Sequence, residues 1–436
     1  MTTEEGLKRE VGTWGLTSNI INTVIGSGIF VLPALVSEGL GAAGIFAYII
    51  CGILIALVML CFAELGSKIT TTGGAYAYID NAFGSYFGFL TTNIFIFGSA
   101  LMSTAAVANA MVDMLSYLIP VFSNQGFRIG FFVTMFSGLA VINILGIRQG
   151  ITLVKITTLA KLFPLALIIT LGTREIIPGN LIIDDFPKFS DFGEISLILF
   201  FAFQGAENSL SVGGEVRHPQ RTFPRAILFG FALILTVYIC IQIVSQGILG
   251  NAFADYKSAP LAEVARRVIG PFGITLVTAG AAVSMFGYIS GDLMNLPRVL
   301  FRSALDNVTP IKPLSLVHKK FSTPYLSVIA YAVLACFFSI TGEFKQMAVL
   351  ASTSAMLLYL GVAFATMKLK SKENNPDHFR IPGGHVVPIL AAITILWLLS
   401  NLGTKEIVGM IIFISILSLI YFLLKWLRLK KIRNKR

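Results

Sequence analysis

Three ionisable side chains lie inside long apolar stretches of the sequence: Lys161, Glu207 and Asp292. A charge at the centre of a bilayer costs about 2.5–3.5 kcal/mol on insertion scales, so each is a candidate for function. In such a place a side chain can carry a proton or meet a charged group of a substrate. The alternative, a buried ion pair or a carbonyl-bonded group that holds helices in register, stays open for all three. Glu64 and Asp113 lie nearer the ends of apolar stretches, and we expect them to be structural.

Two apolar stretches are interrupted near their middle, one by residues 26–28 (Gly-Ser-Gly) and the other by residues 204–207 (Gln-Gly-Ala-Glu). Glycine weakens a helix by about 1 kcal/mol relative to alanine. A broken helix has unpaired carbonyls at the end of its first half and unpaired N–H groups at the start of its second half. The N–H end favours a carboxylate and the carbonyl end an ammonium, which is the charge pattern of a zwitterionic amino acid. For either interruption alone, close packing of helices through small residues is the alternative.

The sequence around these residues has the composition of a membrane protein. Its 436 residues are 55% hydrophobic and 13% charged, whereas soluble domains usually carry about 25% charged residues. Crossing roughly 30 Å of hydrocarbon takes about 20 helical residues, and several charge-free windows are that long. We predict an all-α integral membrane protein with twelve transmembrane helices. These spans lie near residues 13–37, 43–64, 84–118, 129–146, 151–172, 192–214, 224–249, 271–300, 325–341, 346–367, 386–403 and 407–426.

The interrupted stretches are the first and the sixth of these spans. Paired interruptions in corresponding spans predict two inverted repeats and a binding site where the breaks meet. The prediction is a five-plus-five arrangement, with the first repeat at residues 13–172 and the second at residues 192–367. Spans 11 and 12 occupy residues 386–426. The remaining segments are a cytoplasmic N-terminus at residues 1–12 and a basic cytoplasmic tail at residues 427–436.

The basic residues set the expected orientation. The net charge is +11, and most Lys and Arg side chains fall in loops that are cytoplasmic if both termini are cytoplasmic, as the positive-inside rule requires. We therefore expect a multi-pass protein of the plasma membrane with an uncleaved first span. The tail from Lys425 to Arg436 is expected to contact anionic lipids of the bilayer. Nucleic-acid binding is the poorer alternative, and we expect no nucleic-acid partner.

The sequence lacks the residue patterns that are typical of enzyme active sites. All four histidines fall in predicted cytoplasmic loops, and the sequence contains neither GxSxG nor HExxH. The four cysteines stand singly in apolar stretches with no CxxC pair, which disfavours a disulfide framework or a metal site. We expect no catalytic residues, no metal and no cofactor. A membrane-embedded enzyme and a channel are the alternatives from other classes.

Four groups of residues carry a resemblance to a known family. In chain order they are residues 25–30 (IGSGIF) with Pro33; residues 63–65 (AEL) with residues 73–76 (GGAY); residues 200–207 with residues 214–216 (GEV) and 219–226; and residues 298–300 (RVL) with Asp306, Pro310 and residues 323–325 (TPY). Together they resemble the amino acid, polyamine and organocation (APC) family of transporters, over residues 10 to about 400.

The resemblance implies a fold like that of the sodium-coupled leucine transporter. By motif position, the substrate carboxylate would bind N–H groups of Ser27, Gly28 and Ile29. The substrate amine would bind carbonyls that belong to Val24, Phe201 and Gln204. Phe201 falls where antiporters of the family place an aromatic lid, or gate, over the substrate. Lys161 falls where some proton-coupled members place a lysine whose ammonium substitutes for a sodium ion between spans 1 and 5, so sodium coupling is not expected.

The second interruption departs from the usual family pattern. Gln204 and Asn208, on either side of Gly205, make it more polar than is common, and Asp292 occupies a substrate-facing position. A purely hydrophobic substrate is therefore not expected. The resulting prediction is an amino acid permease that works by alternating access, independently of sodium and coupled to protons through Lys161 and Glu207. The alternative is an antiporter for cationic amino acids or polyamines.

Overall fold

The computed structural model describes residues 7–183, 186–256, 259–342, 344–370 and 378–433. The predicted cytoplasmic N-terminus and basic tail include residues 1–6 and 434–436, which lie outside the described residues. The predicted second repeat includes residues 257–258 and 343, which also lie outside them.

The described chain is almost entirely helical, and its one sheet-like contact is a parallel bridge between Val11 and Val216. The α-helices are α1 (Thr13–Val24), α2 (Gly28–Leu40), α3 (Gly44–Lys68), α4 (Ala75–Phe83), α5 (Ser85–Asn93), α6 (Leu101–Leu118), α7 (Gln125–Leu145), α8 (Ile147–Gly172), α9 (Phe189–Phe203), α10 (Ala206–Ser209), α11 (Pro219–Leu249), α12 (Pro260–Ile269), α13 (Pro271–Asn295), α14 (Pro297–Leu305), α15 (Tyr325–Thr341), α16 (Phe344–Lys370), α17 (Val386–Ser400) and α18 (Thr404–Arg433). This confirms the all-α prediction.

The helices have the length and surface of a membrane protein. Among the described residues, eight helical stretches are long and apolar enough to cross a bilayer, and a bent pair that includes α9 and α10 would make a ninth. Two shorter helices, α15 and α17, are also apolar. Large apolar side chains point outward, as with Leu159, which is 72% exposed, and Leu419, which is 71% exposed. A surface of this kind needs lipid rather than water around it.

Local sequence explains where several helices start and bend. The sequence predicts a seventh span from residue 224, but α11 begins five residues earlier at Pro219, because proline is well suited to the first turn of a helix. Its second proline, Pro224, lies inside the helix. Between α5 and α6 the chain winds as a π-helix over Ile94–Ala100, a feature that the sequence did not indicate.

The interrupted helices lie at the centre of the packing. The helix α1 packs against α8, α10, α11 and α13, and α13 in turn packs against α6 and α8. Polar residues on the inner face of α1 are fully buried, including Asn19, Asn22 and Thr23. The helices that carry Lys161, Glu207 and Asp292 are therefore neighbours of the first interruption.

Candidate substrate site

The two interruptions fit directly against each other. Gly205 has a φ of +111°, and a Cβ at this position would lie 2.2 Å from the carbonyl oxygen of Thr23. A Cβ on Gly28 would lie 2.8 Å from the Cα of Ala202. Both positions therefore need glycine, the first for its backbone conformation as well as for space. The hydroxyl of Tyr238 fastens the pair by donating to the carbonyl oxygens of Ala202 (2.8 Å) and Val24 (3.3 Å).

The start of α2 has the polarity of an anion site. The first amide groups of a helix have no acceptor within the helix, and the helix dipole places partial positive charge there. These are the amides of Gly28 and Ile29, whereas the amide of Phe30 donates to the carbonyl oxygen of Ser27 at 3.0 Å. The hydroxyl of Ser27 is buried and has no hydrogen-bond partner. This end of the site can therefore hold a carboxylate.

Carbonyl groups at the ends of α1 and α9 give the opposite polarity. The Val24 carbonyl accepts from the Gly26 amide at 2.8 Å as well as from Tyr238. The Phe201 carbonyl accepts from the Gln204 amide at 3.4 Å. Helix C-termini favour a positive charge. Of these two carbonyls, that of Phe201 keeps one of its two acceptor positions, so this end of the site can hold an ammonium group.

Phe201 differs from the phenylalanines beside it. Phe200 and Phe203 are fully buried and make edge-to-face contacts with tyrosines, Phe200 with Tyr359 at 5.7 Å and Phe203 with Tyr238 at 5.1 Å between ring centroids. Phe201 is only partly buried. Its ring is therefore the one of the three that is not fully enclosed by the protein.

The polar residues of the second interruption keep unused acceptors. Gln204 donates from Nε2 to the hydroxyl of Ser352 at 3.0 Å, and its Oε1 has no partner. Asn208 donates from Nδ2 to Asp292 at 2.8 Å, and its Oδ1 has no partner. With the hydroxyl of Ser27, three buried side-chain oxygens near the interruptions lack hydrogen bonds within the described chain. Such groups cost free energy unless a ligand or water meets them.

Asp292 is fully buried without an ion pair among the described residues. Its Oδ1 accepts from Asn208, and its Oδ2 accepts from the hydroxyl of Thr104 at 2.8 Å. The Tyr331 hydroxyl lies 3.1 Å from that of Thr104. The sequence suggests a proton, a charged group of the substrate or a buried ion pair for this carboxyl group. It does not indicate these neutral hydrogen-bond donors on other helices, because they lie far from Asp292 along the chain.

Lys161 is fully buried, and its ammonium binds the end of α1. Its Nζ donates to the carbonyl oxygens of Asn22 (2.8 Å) and Ile25 (2.6 Å). The hydroxyl of Ser284 also donates to Ile25, at 2.9 Å. The structure thus places Lys161 between α8 and α1 and not against Asp292. A positive charge here complements the negative end of the α1 dipole.

Glu207 makes its hydrogen bonds within and beside the second interruption. Its Oε2 accepts from the Gly205 amide at 2.9 Å and from the hydroxyl of Tyr359 at 2.5 Å. Glu207 therefore fixes the turn between α9 and α10 and joins it to α16. Lys161 and Glu207 are the two residues that the sequence analysis assigns to proton coupling rather than to substrate binding. Lys161 holds the first interruption in place, and Glu207 holds the second.

A buried ion pair lies beyond the site, near the start of α14. Arg298 donates from Nε to Glu215 at 2.8 Å and from a second nitrogen at 3.1 Å, and neither side chain is exposed. The carbonyl oxygen of Glu215 accepts from the amides of Glu10 and Val11, both at 2.9 Å. The motifs at residues 214–216 and 298–300 pointed to each residue separately, but the sequence did not show that they pair.

The described residues contain no group of three His, Cys, Asp or Glu side chains arranged to hold a metal ion. The four cysteines are free thiols.

Comparison with known proteins identifies the family. A family model described as amino acid permease matches residues 11–424. The chain is 29% identical to the serine/threonine exchanger SteT of Bacillus subtilis over 401 residues, which covers 89% of this chain and 90% of that protein. It is 24% identical to the branched-chain amino acid permease BcaP of Bacillus subtilis over 445 residues (96% and 94%). It is 27% identical to the b(0,+)-type amino acid transporter 1 of Mus musculus over 369 residues (81% and 74%).

The match covers nearly the whole chain, and the relatives are transporters rather than enzymes. The all-helical structure with its apolar outer surface agrees with that class. The chain therefore belongs to the amino acid permease family of APC membrane transporters.

Proposed function

We propose that the protein carries an amino acid across the plasma membrane by alternating access, with the substrate held between the two interruptions. The observation that carries this proposal is the set of buried, unpartnered oxygens on Ser27, Gln204 and Asn208. Ser27 stands at the start of α2, and Gln204 and Asn208 stand at the second interruption, which packs against the first. An α-amino acid has a carboxylate for the amide end at α2 and an amine for the carbonyl ends of α1 and α9.

The polar lining favours a small polar or neutral amino acid. Gln204 and Asn208 each keep one acceptor oxygen for a substrate hydroxyl or amine. Both carboxyl oxygens of Asp292 already accept a hydrogen bond from a neutral donor. A cationic substrate is therefore not needed to satisfy the hydrogen-bonding capacity of this side chain. The serine/threonine exchanger among the relatives supports the same class of substrate.

Proton coupling without sodium is proposed through Lys161. Its ammonium binds the α1 carbonyls at the place where, by the resemblance, a sodium ion would bind in sodium-coupled members. A charged Lys161 holds α8 against α1, and a neutral Lys161 donates more weakly to the same carbonyls. When Lys161 gains or loses a proton, the strength of the contact between α8 and α1 therefore changes.

Exchange is the second candidate mechanism, because one relative is named an exchanger. In that case the carrier returns only when it is loaded, and Lys161 is a fixed structural charge. The cationic amino acid or polyamine antiporter remains the alternative for the substrate and rests on Asp292 alone.

The proposed topology has twelve crossings with both termini in the cytoplasm. The first repeat runs from α1 to α8 and the second from α9 to α16, with α17 and α18 outside the repeats. The short helices α10 and α14 complete the spans that begin with α9 and α13. Support comes from the paired interruptions and from the distribution of basic loops.

The test is uptake of labelled L-serine into liposomes that contain the purified protein. We expect saturable uptake that excess L-serine blocks and D-serine does not, with protein-free liposomes as the control. Replacement of sodium by choline should leave the rate unchanged. Acceleration by an inward proton gradient supports symport, and acceleration by internal unlabelled L-serine supports exchange. Uptake that does not saturate, or chemical conversion of the serine, would contradict transport at a defined site.

A further inference from the structure

A groove on the lipid-facing side of the protein runs between α3 and α11. Its volume is about 660 Å³, and most of its lining is apolar. Small residues form its floor, including Gly52 and Ala56 on α3 and Ala232 on α11. The groove is separate from the substrate site, since none of the residues assigned to that site lines it.

The groove has the length of a lipid tail. At one end of the groove the two helices approach closely, because a Cβ on Gly52 would lie 2.5 Å from a methyl carbon of Leu235. Arg221 lines the other end. Leu235 and Arg221 are about 21 Å apart along α11 at a rise of 1.5 Å per residue. One leaflet contributes about half of the 30 Å hydrocarbon core, so the groove is longer than the apolar part of one leaflet is thick. An acyl chain of that leaflet fits along the groove.

The open end of the groove is basic. Arg221 and Arg225 line it and are exposed, and within the described chain their side chains make no ion pair or hydrogen bond. His378 lines the same end, and its buried Nδ1 has no hydrogen-bond partner. The described lining contains no acidic side chain. Three nitrogen-bearing groups therefore meet at one end of an apolar groove with nothing of opposite charge between them.

We propose that this groove binds an anionic phospholipid, with an acyl chain between α3 and α11 and the phosphate at Arg221, Arg225 and His378. Guanidinium groups bind phosphate through two parallel hydrogen bonds. The start of α11 adds the positive end of a helix dipole. In the proposed topology this end faces the cytoplasmic leaflet, where basic pockets between helices bind anionic headgroups.

The lipid can be tested directly on the purified full-length protein in a neutral detergent. We expect phosphatidylglycerol to raise the unfolding temperature and to remain bound in native mass spectra, and phosphatidylcholine with the same acyl chains to do neither. Free glycerol phosphate should also fail, because it lacks the tail. Equal stabilisation by phosphatidylcholine, or by glycerol phosphate, would overturn the proposal.

Two sets of variants separate the headgroup from the groove. Arg221→Gln with Arg225→Gln should weaken phosphatidylglycerol binding about twenty-fivefold, at roughly fivefold per basic residue. Lys312→Gln with Lys319→Gln is the matched control, since both lysines are exposed and lie outside the groove. Ala56→Leu keeps the arginines but fills the groove from an exposed position, so it should also reduce lipid retention. A loss in the lysine control as large as in the arginine pair, or full retention by Ala56→Leu, would contradict a groove-bound lipid.

Discussion

The ammonium of Lys161 lies 2.6 Å from the carbonyl oxygen of Ile25, the residue that directly follows α1. This contact joins α8 to the first interruption, and a second bond to Asn22 at 2.8 Å strengthens it. Both acceptors are carbonyls that the helix cannot satisfy by itself. A side chain on one helix thus holds the backbone of another at the point where the proposed substrate binds.

Lys161→Ala should remove the pH dependence of uptake, or uptake itself, and should destabilise the protein by about 3 kcal/mol. The stability loss follows because two carbonyls lose a charged donor inside the protein. Lys155→Ala is the matched control, since Lys155 is exposed on the same helix. The measurements are uptake by liposomes from pH 5 to 8 and thermal unfolding. An unchanged rate and pH profile in Lys161→Ala would leave Lys161 as a packing residue.

Phe201→Ala should slow transport more than it weakens binding, because a lid commits the substrate without supplying its main contacts. The ring is only partly buried, so the unfolding temperature should change little. Phe200→Ala is the comparison, because its ring is 1% exposed and its loss should cost about 3–5 kcal/mol. Binding of labelled L-serine in detergent and uptake by liposomes measure the two effects. Weakened binding with a normal rate per bound substrate would contradict the role of Phe201 as a lid.

Asp292→Asn tests the charge of the substrate. We expect alanine to compete with L-serine better than arginine does, in both the parent and the variant. The reason is that the carboxyl oxygens of Asp292 already accept hydrogen bonds from Thr104 and Asn208 and do not require a cationic substrate. Competition for uptake of labelled L-serine measures this. A selective loss of arginine binding in the variant would support a cationic substrate and contradict the proposed small polar or neutral amino acid.

Arg298→Met should destabilise the protein by about 3–5 kcal/mol, because it leaves the carboxylate of Glu215 buried without its partner. Glu215→Leu combined with Arg298→Met should recover most of that loss, since two apolar side chains replace the pair. Thermal unfolding of both single variants and the double variant gives the coupling between the two residues. Additive losses would show that the ion pair does not act as a unit.

The sequence predicted the two interruptions because glycine and polar residues in apolar stretches weaken a helix where they stand. Their positions, residues 26–28 and 204–207, agree with the ends of α1 and α9 and the starts of α2 and α10. The sequence did not predict that Gly205 packs on the carbonyl of Thr23. A close approach of that kind depends on how two distant helices are placed, and no local pattern encodes it.

The sequence also did not predict which side chains pair with the buried ionisable residues. Thr104 and Asp292 are separated by 188 positions in the chain, and threonine is common in membrane helices for many reasons. Arg298 and Glu215 both stood in recognised motifs, but their pairing depends on the position of α14 beside the turn that follows α10. Lys161 was placed against α1 by the resemblance and not by its spacing.

A density map of the protein with bound L-serine is the most direct test of the proposed site. We predict the carboxylate of the ligand within about 3 Å of the amide nitrogens of Gly28 and Ile29, as hydrogen bonding requires. The amino group should lie against the carbonyl oxygens of Val24 and Phe201, and the side chain should point toward Asn208. Density for L-serine in any other part of the protein, with the two interruptions unoccupied, would contradict the account.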